Sequence, residues 1–287
     1  MLIEELARAK VNLTLQVLGR RPDGYHALAS VVAFASVADI VTLEPGRPHA
    51  IEVSGPFAPK LASEYLIART LKTLRSRHPA LTLGAIHLDK RLPVAAGVGG
   101  GSADAAAVLR AVRRANPELQ AAVDWYGIAA TLGADVPVCL ANELTFMTGI
   151  GDALHAMPPL PEAMNAVLVN PQISVPADKT AQVFRALNAR DLAAAESGEP
   201  SPPRMGSSSE AVEAIARLGN DLEAPAAAVM PAVADVLAAL HSTPGCRAAR
   251  MSGAGPTCFG IFDDAASAAG ALRHAEPGWW VEAVTLS

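Results

Sequence analysis

A glycine-rich stretch, PVAAGVGGGSADAA from Pro93 to Ala106, restricts the fold more than any other part of the sequence. Its glycines lack a Cβ, so the backbone can adopt positive φ and direct several N–H groups at one point. The alanine-rich residues that follow favour a helix. The unpaired N–H groups and the dipole of its first turn would add to the same positive site. The stretch therefore predicts a turn that runs into a helix and suits an anion such as a polyphosphate.

Two familiar phosphate-binding motifs do not fit this spacing. A Walker loop has Lys directly after its last glycine, where this chain has Ser102. A dinucleotide-binding fingerprint has Gly or Ala five positions after its first glycine, and this chain has Ser102 counted from Gly97 and Asp104 counted from Gly99. Many glycine-rich turns only reverse the chain direction. The stretch by itself leaves open a structural turn or a phosphate loop of another kind.

The length and charge of the chain narrow the classes of protein. A chain of 287 residues is long enough for two ordinary domains. Hydrophobic residues make up 51% of it and aromatic residues only 4%, so the core must consist mainly of Ala, Val, Leu and Ile. A formal net charge of -5 argues against a broad nucleic-acid surface, which requires clustered Lys and Arg. We therefore expect no nucleic-acid partner.

The cysteines and the apolar segments predict the cellular setting. Cys139, Cys246 and Cys258 are too few and too widely spaced for a zinc knuckle or a disulfide framework. The first residues, MLIEELARAK, are not typical of a signal peptide, and the apolar run 31–43 is too short to span a bilayer. We expect a soluble protein of the reducing cytoplasm with no membrane partner.

The segment Lys10 to Val17, KVNLTLQV, alternates between polar and apolar residues. This period of two predicts a strand with one buried face. Lys10, Asn12 and Thr14 lie on its polar side. That side is either a solvated face or a surface that orients a ligand.

A turn follows at residues 19 to 26, where Pro22 fixes φ and Asp23-Gly24 is a turn dipeptide. The simple interpretation is a hairpin loop. The functional interpretation is that Tyr25 stacks on a planar ring and His26 forms a hydrogen bond with one.

The segment GADVPVC, residues 133 to 139, contains the acidic candidate Asp135. Asp135 suits the N-cap position of a helix, because Pro137 then falls in the first turn, where proline is tolerated. A catalytic acid is the alternative.

The order of the predicted elements indicates an α+β protein of two domains, 1–150 and 151–287. We place the boundary near FMTGIGDAL, a turn between strands at residues 146 to 154. The second half combines predicted strands at 166–169 and 281–286 with helices at 180–187, 231–240 and 265–274. Residues 191–209 predict a mobile loop, and MSGAGPTCFGIF from Met251 to Phe262 is a second glycine-rich turn that leads into a strand.

Taken together, these segments resemble the GHMP small-molecule kinases. The resemblance rests on AKVNL at 9–13, PVAAGVGGGSADAA at 93–106 and SGAGP at 252–256, in that order. RPDGYH at 21–26, LGADVP at 132–137, TGIGD at 148–152 and NDLE at 220–223 are similar to the members that act on a cytidine diphosphate ester of methylerythritol. The likeness covers essentially the whole chain.

The resemblance implies a ribosomal-protein-S5-like N-terminal domain, a ferredoxin-like C-terminal domain and an active site between them. It also implies that ATP phosphorylates the 2-hydroxyl of the methylerythritol part, on the non-mevalonate route to isoprenoid precursors. Mg²⁺ is expected with ATP, although the sequence identifies no metal ligand. The alternatives are a homoserine or mevalonate type of GHMP kinase and a nucleotide-binding sensor without catalysis.

The resemblance also implies roles for individual residues. Asp135 matches the catalytic aspartate, Lys10 its partner lysine and Asn12 a polyol-contacting asparagine. Tyr25, His26, Thr180 and Phe184 match substrate-binding positions, with Tyr25 and Phe184 on the two sides of the cytosine. The implied ATP-binding residues are Pro93, Val94, Ala95, Ala96, Gly97, Val98, Gly99, Gly100, Gly101, Ser102 and Ala103.

Three positions depart from the family pattern. Family loops often carry glycines where this chain has Ala95 and Ala96, and commonly have Asn where this chain has Tyr65. An extra stretch, Pro176 to Lys179, precedes Thr180.

Overall fold

The computed structural model describes residues 1–58, 66–160, 162–187 and 200–287. Tyr65 and residues 191–199 of the loop predicted at 191–209 lie outside these residues. In the described part, eleven strands are present: β1 (Ile3–Asn12), β2 (Gln16–Arg20), β3 (His26–Pro45), β4 (Ile51–Ser54), β5 (Gly84–Asp89), β6 (Thr145–Thr148), β7 (Ala153–Ala156), β8 (Met164–Asn170), β9 (Cys246–Met251), β10 (Cys258–Phe262) and β11 (Trp280–Leu286).

Nine α-helices accompany them in the described residues, and a short 3-10 helix spans Pro117–Leu119. The α-helices are α1 (Leu66–Arg77), α2 (Gly100–Ala115), α3 (Trp125–Leu132), α4 (Val136–Ala141), α5 (Lys179–Ala186), α6 (Ser208–Leu218), α7 (Glu223–Val229), α8 (Ala232–Ser242) and α9 (Ala265–Ala275). The described part of the chain has no helix both long and apolar enough to span a bilayer.

Contacts divide the chain into two compact units. Unit 1 contains Met1–Lys10, Val37–Val94 and Gly99–Asn142, and unit 2 contains Val11–Ser36, Ala95–Val98 and Glu143–Ser287. Unit 2 thus includes segments that precede residue 150, because the first part of β3 pairs with β2, β6 and β11 and its later part pairs with β5. This division by contacts differs from the domains 1–150 and 151–287, which remain a prediction.

Unit 1 combines a sheet with a layer of helices. The later part of β3 runs antiparallel to β5, from Ile40 opposite Asp89 to Pro45 opposite Gly84, and β4 is parallel to β5. Helix α2 contacts α1, α3 and α4. Most of its buried side chains are alanines, whose small volume lets neighbouring helices approach on several sides.

Unit 2 contains an antiparallel sheet in the order β11-β8-β10-β9. Helices α8 and α9 pack on it. The sheet and the helices each bury one apolar face, and the core between them includes Val167, Val169, Val236, Leu240 and Phe262. The α+β fold class is confirmed.

The predicted strand over residues 10–17 is interrupted, and its polar side is not solvated. Strand β1 ends at Asn12, and β2 begins at Gln16. The side chains of Asn12 and Thr14 are buried because they bond to the adjacent strand: Asn12 Nδ2 donates to Ser30 Oγ at 2.8 Å, and Val31 N donates to Thr14 Oγ1 at 3.1 Å. The prediction of a single buried face is therefore wrong.

The ends of two helices follow local rules. Asp264 caps α9 by accepting a hydrogen bond from Ser267 N at 3.0 Å, and α2 ends directly before Asn116-Pro117. Helix α6 and strand β9 were not predicted. Serines 207 to 209 suggested a loop, but Ser207 caps α6 by accepting a hydrogen bond from Glu210 N.

Gly84, the first residue of β5, provides a test of the β3–β5 register. A Cβ on Gly84 would lie 1.8 Å from the carbonyl oxygen of Glu44, so Gly84→Ala must displace a paired backbone. We expect it to lower the free energy of unfolding by about 1–3 kcal/mol, the usual range for overpacking. Urea unfolding measures this change. The matched control is Gly270→Ala in α9, where a Cβ meets no atom within 4 Å. It should be neutral or stabilising, and equal effects of the two substitutions would contradict the register.

Candidate active site

Lys10 and Asp135 form an ion pair in unit 1. Lys10 lies in β1 and Asp135 directly precedes α4, and Lys10 Nζ is 3.1 Å from Asp135 Oδ1. The Asp135 side chain makes no capping hydrogen bond to α4, so a capping role does not explain it. The lysine side chain is 6% exposed and the carboxylate 39% exposed. The pair therefore presents a carboxylate that a ligand can reach, held by a buried cation.

The predicted phosphate loop adopts the left-handed backbone that its glycines allow. The φ angles of Ala95, Gly97 and Gly99 are 56°, 82° and 64°. Gly99 occupies the N-cap position of α2 without a side-chain cap, so the first turn of the helix is left for a ligand. A Cβ on Gly99 would lie 3.2 Å from Lys10 Cβ. The stem of the predicted catalytic lysine thus packs against the loop.

Ala95 is a departure from the family pattern with a physical cost. A left-handed conformation is unfavourable by roughly 1–2 kcal/mol for a residue with a Cβ. The loop holds Ala95 there although the family often has glycine at this point. The surrounding contacts, rather than the intrinsic preference of Ala95, must set this part of the loop.

The second glycine-rich turn provides those contacts within unit 2. Ser252 Oγ donates to Gly97 O at 3.1 Å and accepts a hydrogen bond from Asn12 N at the same distance. Thr257 N donates to Ala96 O at 3.0 Å. A Cβ on Gly97 would lie 2.6 Å from Gly255 O, so only glycine fits. The turn at 252–257 therefore supports the phosphate loop.

A buried charge cluster lies below the start of α2 in unit 1. Lys90 Nζ bonds to Asp39 Oδ2 and, at 2.8 Å, to Asp104 Oδ2. Asp39 Oδ1 accepts from the backbone N–H groups of Arg91 and Leu92 at 2.6 and 2.7 Å. Asp104 Oδ1 is buried without a hydrogen-bond partner in the described residues. Burial is the main reason that the pKa of Asp104 rises to about 7, and the nearby Asp39 adds to it.

In the sequence, Lys90 is only a basic residue that shortly precedes the glycine-rich stretch. Asp39 belongs to a strand 51 positions away, and Asp104 looks like any polar residue of a helix. No local signal connects the three. The tertiary structure alone brings the two carboxylates to one lysine.

A cavity of about 770 Å³ in unit 2 contains the predicted cytidine-binding residues. Tyr25, His26, Thr180 and Phe184 all line it. The His26 and Phe184 rings stack, with centroids 4.8 Å apart and planes inclined by 21°. His26 is therefore the ring that lies against Phe184, while Tyr25 is largely exposed.

The environment of His26 favours its neutral form. Burial, followed by the charge of Arg20, lowers the pKa of His26 below its ordinary value. A neutral imidazole has one donor and one acceptor nitrogen. It can therefore read both a donor and an acceptor on the edge of a base.

Some residues around the cavity were missed, and one predicted contact lies elsewhere. Arg20, Asp178 and Arg185 also line the cavity, and Arg185 Nη2 is 2.8 Å from Asp178 Oδ2. Asn12, predicted to contact the polyol, is not among the lining residues; it is buried by its bond to Ser30. The polyol role of Asn12 remains a prediction.

Comparison with known proteins identifies the class. Residues 65–143 match the family model described as GHMP kinases N terminal domain, and residues 203–277 match GHMP kinases C terminal. Homoserine kinase from Cytophaga hutchinsonii shares the fold, with a TM-score of 0.65 at 18% identity over 99% of this chain and 95% of that chain. The protein is a kinase of the GHMP class.

Relatives with higher sequence identity show to which family of GHMP kinases the chain belongs. A 4-diphosphocytidyl-2-C-methyl-D-erythritol kinase from Methylobacterium radiotolerans is 50% identical over 98% of this chain and 97% of the relative. A second kinase of this name, from Rhodopseudomonas palustris, is 48% identical over 99% of this chain and 98% of the relative. A crystal structure of 4-(cytidine 5'-diphospho)-2C-methyl-D-erythritol kinase has a TM-score of 0.79 at 35% identity, covering 99% of both chains. The chain belongs to the 4-diphosphocytidyl-2-C-methyl-D-erythritol kinase family.

The buried Lys90 cluster makes the stability of the protein depend on pH. The pKa of Asp104 in the folded state, about 7, lies above its ordinary value of 3.8, so the folded protein holds an additional proton between these values. The contribution of Asp104 to the free energy of unfolding therefore falls as pH rises through this range. In Asp104→Asn no proton titrates at this position. From about pH 5 to about pH 8, the free energy of unfolding of the variant should therefore rise by more than about 1 kcal/mol relative to that of the wild type.

Urea unfolding of wild type and variant across this pH range measures the difference. The matched control is Asp235→Asn, at an exposed position of α8. Its difference from the wild type should stay nearly constant. A constant difference for Asp104→Asn as well would contradict the raised pKa.

Proposed function

We propose that the protein transfers the terminal phosphoryl group of ATP to the 2-hydroxyl of 4-diphosphocytidyl-2-C-methyl-D-erythritol, in non-mevalonate isoprenoid biosynthesis. The observation that carries the proposal is the Lys10–Asp135 pair, at 3.1 Å, in a chain similar over its whole length to kinases with that substrate in their name. A sensor without catalysis has no need for this pair. A homoserine kinase and a mevalonate kinase are similar to this chain in fold, at only 18% and 11% identity.

Asp135 is proposed to act as the general base. Its carboxylate is partly exposed and accepts the proton of the attacking hydroxyl. General base catalysis typically contributes about 10²- to 10⁴-fold. The Lys10 ammonium, held at 3.1 Å, favours the ionised carboxylate and stabilises the alkoxide that forms.

The glycine loop is proposed to hold the phosphates of ATP. Phosphoryl transfer depends mostly on positioning and on neutralising charge. The left-handed turns at Ala95, Gly97 and Gly99 and the uncapped start of α2 supply backbone N–H donors for this task. Pro93, Ala96, Val98 and Ala103 are buried and anchor the loop.

Mg²⁺ is proposed to enter with ATP. The described residues contain no group of three or more His, Cys, Asp and Glu side chains that suits a metal ion. This is compatible with a cation that takes most of its ligands from phosphate oxygens and water. When bound, Mg²⁺ neutralises phosphate charge; the residues of this chain position the nucleotide.

The cavity in unit 2 is proposed to bind the cytidine end of the acceptor. Its volume, about 770 Å³, lies within the range of nucleotide-sized ligands. Phe184 and Tyr25 offer aromatic faces, and stacking on such rings contributes roughly 1–3 kcal/mol per base. Neutral His26 reads the edge of the base, and Thr180 adds a hydroxyl on the same wall. These partners are small molecules, and we propose that the protein works in the cytoplasm.

The identity of the product tests the proposed function most directly. Incubation of the protein with ATP and the cytidine diphosphate ester should produce a new phosphomonoester resonance in the phosphorus NMR spectrum, coupled to no proton because the 2-carbon is tertiary. ATP consumption with homoserine or mevalonate in place of the ester would favour the other kinase types. Absence of turnover with all three alcohols, despite nucleotide binding, would favour the sensor.

Replacement of the proposed base separates chemistry from binding. We expect Asp135→Asn to lower kcat by about 10²- to 10⁴-fold, because the amide accepts no proton. The KM for ATP should change little. Steady-state kinetics with the cytidine substrate measure both constants. The control Asp235→Asn should behave as the wild type, and a rate near that of the wild type for Asp135→Asn would disprove the base assignment.

A further inference from the structure

Lys179 is a buried cation that the proposed mechanism does not use. It is the first residue of α5, and it belongs to the extra stretch Pro176 to Lys179. Only 7% of the residue is exposed. Its Nζ donates to Gly255 O in the second glycine-rich turn and, at 3.4 Å, to Ala95 O in the phosphate loop. All of these residues belong to unit 2.

The partners of Lys179 leave its charge uncompensated. Among the described residues its hydrogen-bond partners are two neutral carbonyls, whereas Lys90 is bound by two carboxylates. A buried ammonium without an anion is unfavourable, and burial lowers the pKa of Lys179 to about 8. An ammonium has three donors, and two are accounted for. One donor and one positive charge remain for a ligand.

Within the described part of the chain, the titratable groups around Lys179 do not supply this anion. Segment 95–98 and the turn 252–257 contain no titratable side chain. On its own helix, Asp178 and Arg185 pair with each other at 2.8 Å. On α7, which packs against α5, Glu223 accepts a hydrogen bond from Met251 N at 2.8 Å.

The position of Lys179 relates it to phosphate groups. It contacts Ala95 of the loop proposed to hold ATP. Its neighbours along the chain, Asp178 and Thr180, line the cavity proposed to hold the cytidine diphosphate end of the acceptor. Both nucleotides carry phosphoanhydride oxyanions. This chemistry matches a desolvated ammonium with a free donor.

We infer that Lys179 binds a phosphate oxyanion of a bound nucleotide beside Ala95, and so supplies a lysine that the glycine loop itself lacks. The oxyanion belongs to the donor triphosphate or to the acceptor diphosphate. The inference rests on the proposed function, because it requires a nucleotide at this position. A purely structural role, in which Lys179 only joins the two turns through their carbonyls, is the alternative.

Calorimetric titration with four probes tests the inference. ADP and adenosine represent the donor side, and CDP and cytidine represent the acceptor side. In Lys179→Met, affinity for ADP or for CDP should fall about 10- to 100-fold, the value of a charge-assisted hydrogen bond. Affinity for the matching nucleoside should stay unchanged. The nucleotide that weakens identifies the source of the oxyanion.

Proton uptake distinguishes ligand binding from a structural role. An anion beside Lys179 raises its pKa, so binding of that nucleotide to the wild type should take up protons, more at about pH 9 than at about pH 7. Titrations in buffers of different ionisation enthalpy measure this uptake. It should disappear in Lys179→Met and persist in the control Lys72→Met, an exposed lysine of α1. Circular dichroism verifies that both variants are folded.

Three results would overturn the inference. Unchanged affinities and unchanged proton uptake in folded Lys179→Met would overturn it and leave the proposed function intact. Equal weakening of nucleoside and nucleotide, without loss of proton uptake, would assign Lys179 a structural role. Failure of the wild type to bind either nucleotide would overturn the proposed function as well.

Discussion

The close approach of backbone to backbone at Gly97 is the constraint on which the candidate phosphate site depends. A side chain at this position would overlap the carbonyl of Gly255, and the φ angle of 82° disfavours any residue with a Cβ. Ser252 stabilises this contact, because its Oγ donates a hydrogen bond to Gly97 O and accepts one from Asn12 N. A segment more than 150 positions away in sequence therefore shapes the loop. These hydrogen bonds fix the backbone of the loop, and a preorganised site loses less entropy on binding a ligand.

Three buried lysines illustrate how the surroundings of a side chain determine its chemistry. Lys90 is bound by two buried carboxylates and serves the structure. Lys10 is paired with the partly exposed carboxylate of Asp135, which suits acid–base chemistry. Lys179 meets only carbonyls in the described residues, so its charge is left for an anion. The lysines have the same intrinsic charge, and only the number and exposure of their anionic partners differ.

The cavity in unit 2 shows how far sequence reasoning reaches. RPDGYH identified Tyr25 and His26, and the segment after Pro176 identified Thr180 and Phe184; all four line one cavity. Their arrangement within it was not predictable, since the stacking of His26 on Phe184 depends on how β3 and α5 pack. Arg20 and Arg185 were missed because an arginine beside a turn or on a helix is ordinarily a solvated residue. Asn12 carried a pattern suited to a ligand, yet Ser30 on the neighbouring strand binds its side chain.

The sequence by itself determined the class of fold, the family, the left-handed glycine turn and the approximate limits of α5, α8 and α9, and it singled out Lys10 and Asp135 as candidates for the reacting pair. These properties follow from local rules, such as the backbone freedom of glycine, helix capping by side chains and the periodicity of apolar residues. They also follow from the order of the motifs along the sequence. Only the tertiary structure decided that Asp135 pairs with Lys10 rather than capping α4, and that Asp39 and Asp104 share Lys90. It also decided that Lys179 is buried without a carboxylate partner in the described residues. The physical reason is that burial and the nearest opposite charge are properties of three-dimensional packing, and residues distant in sequence supply both.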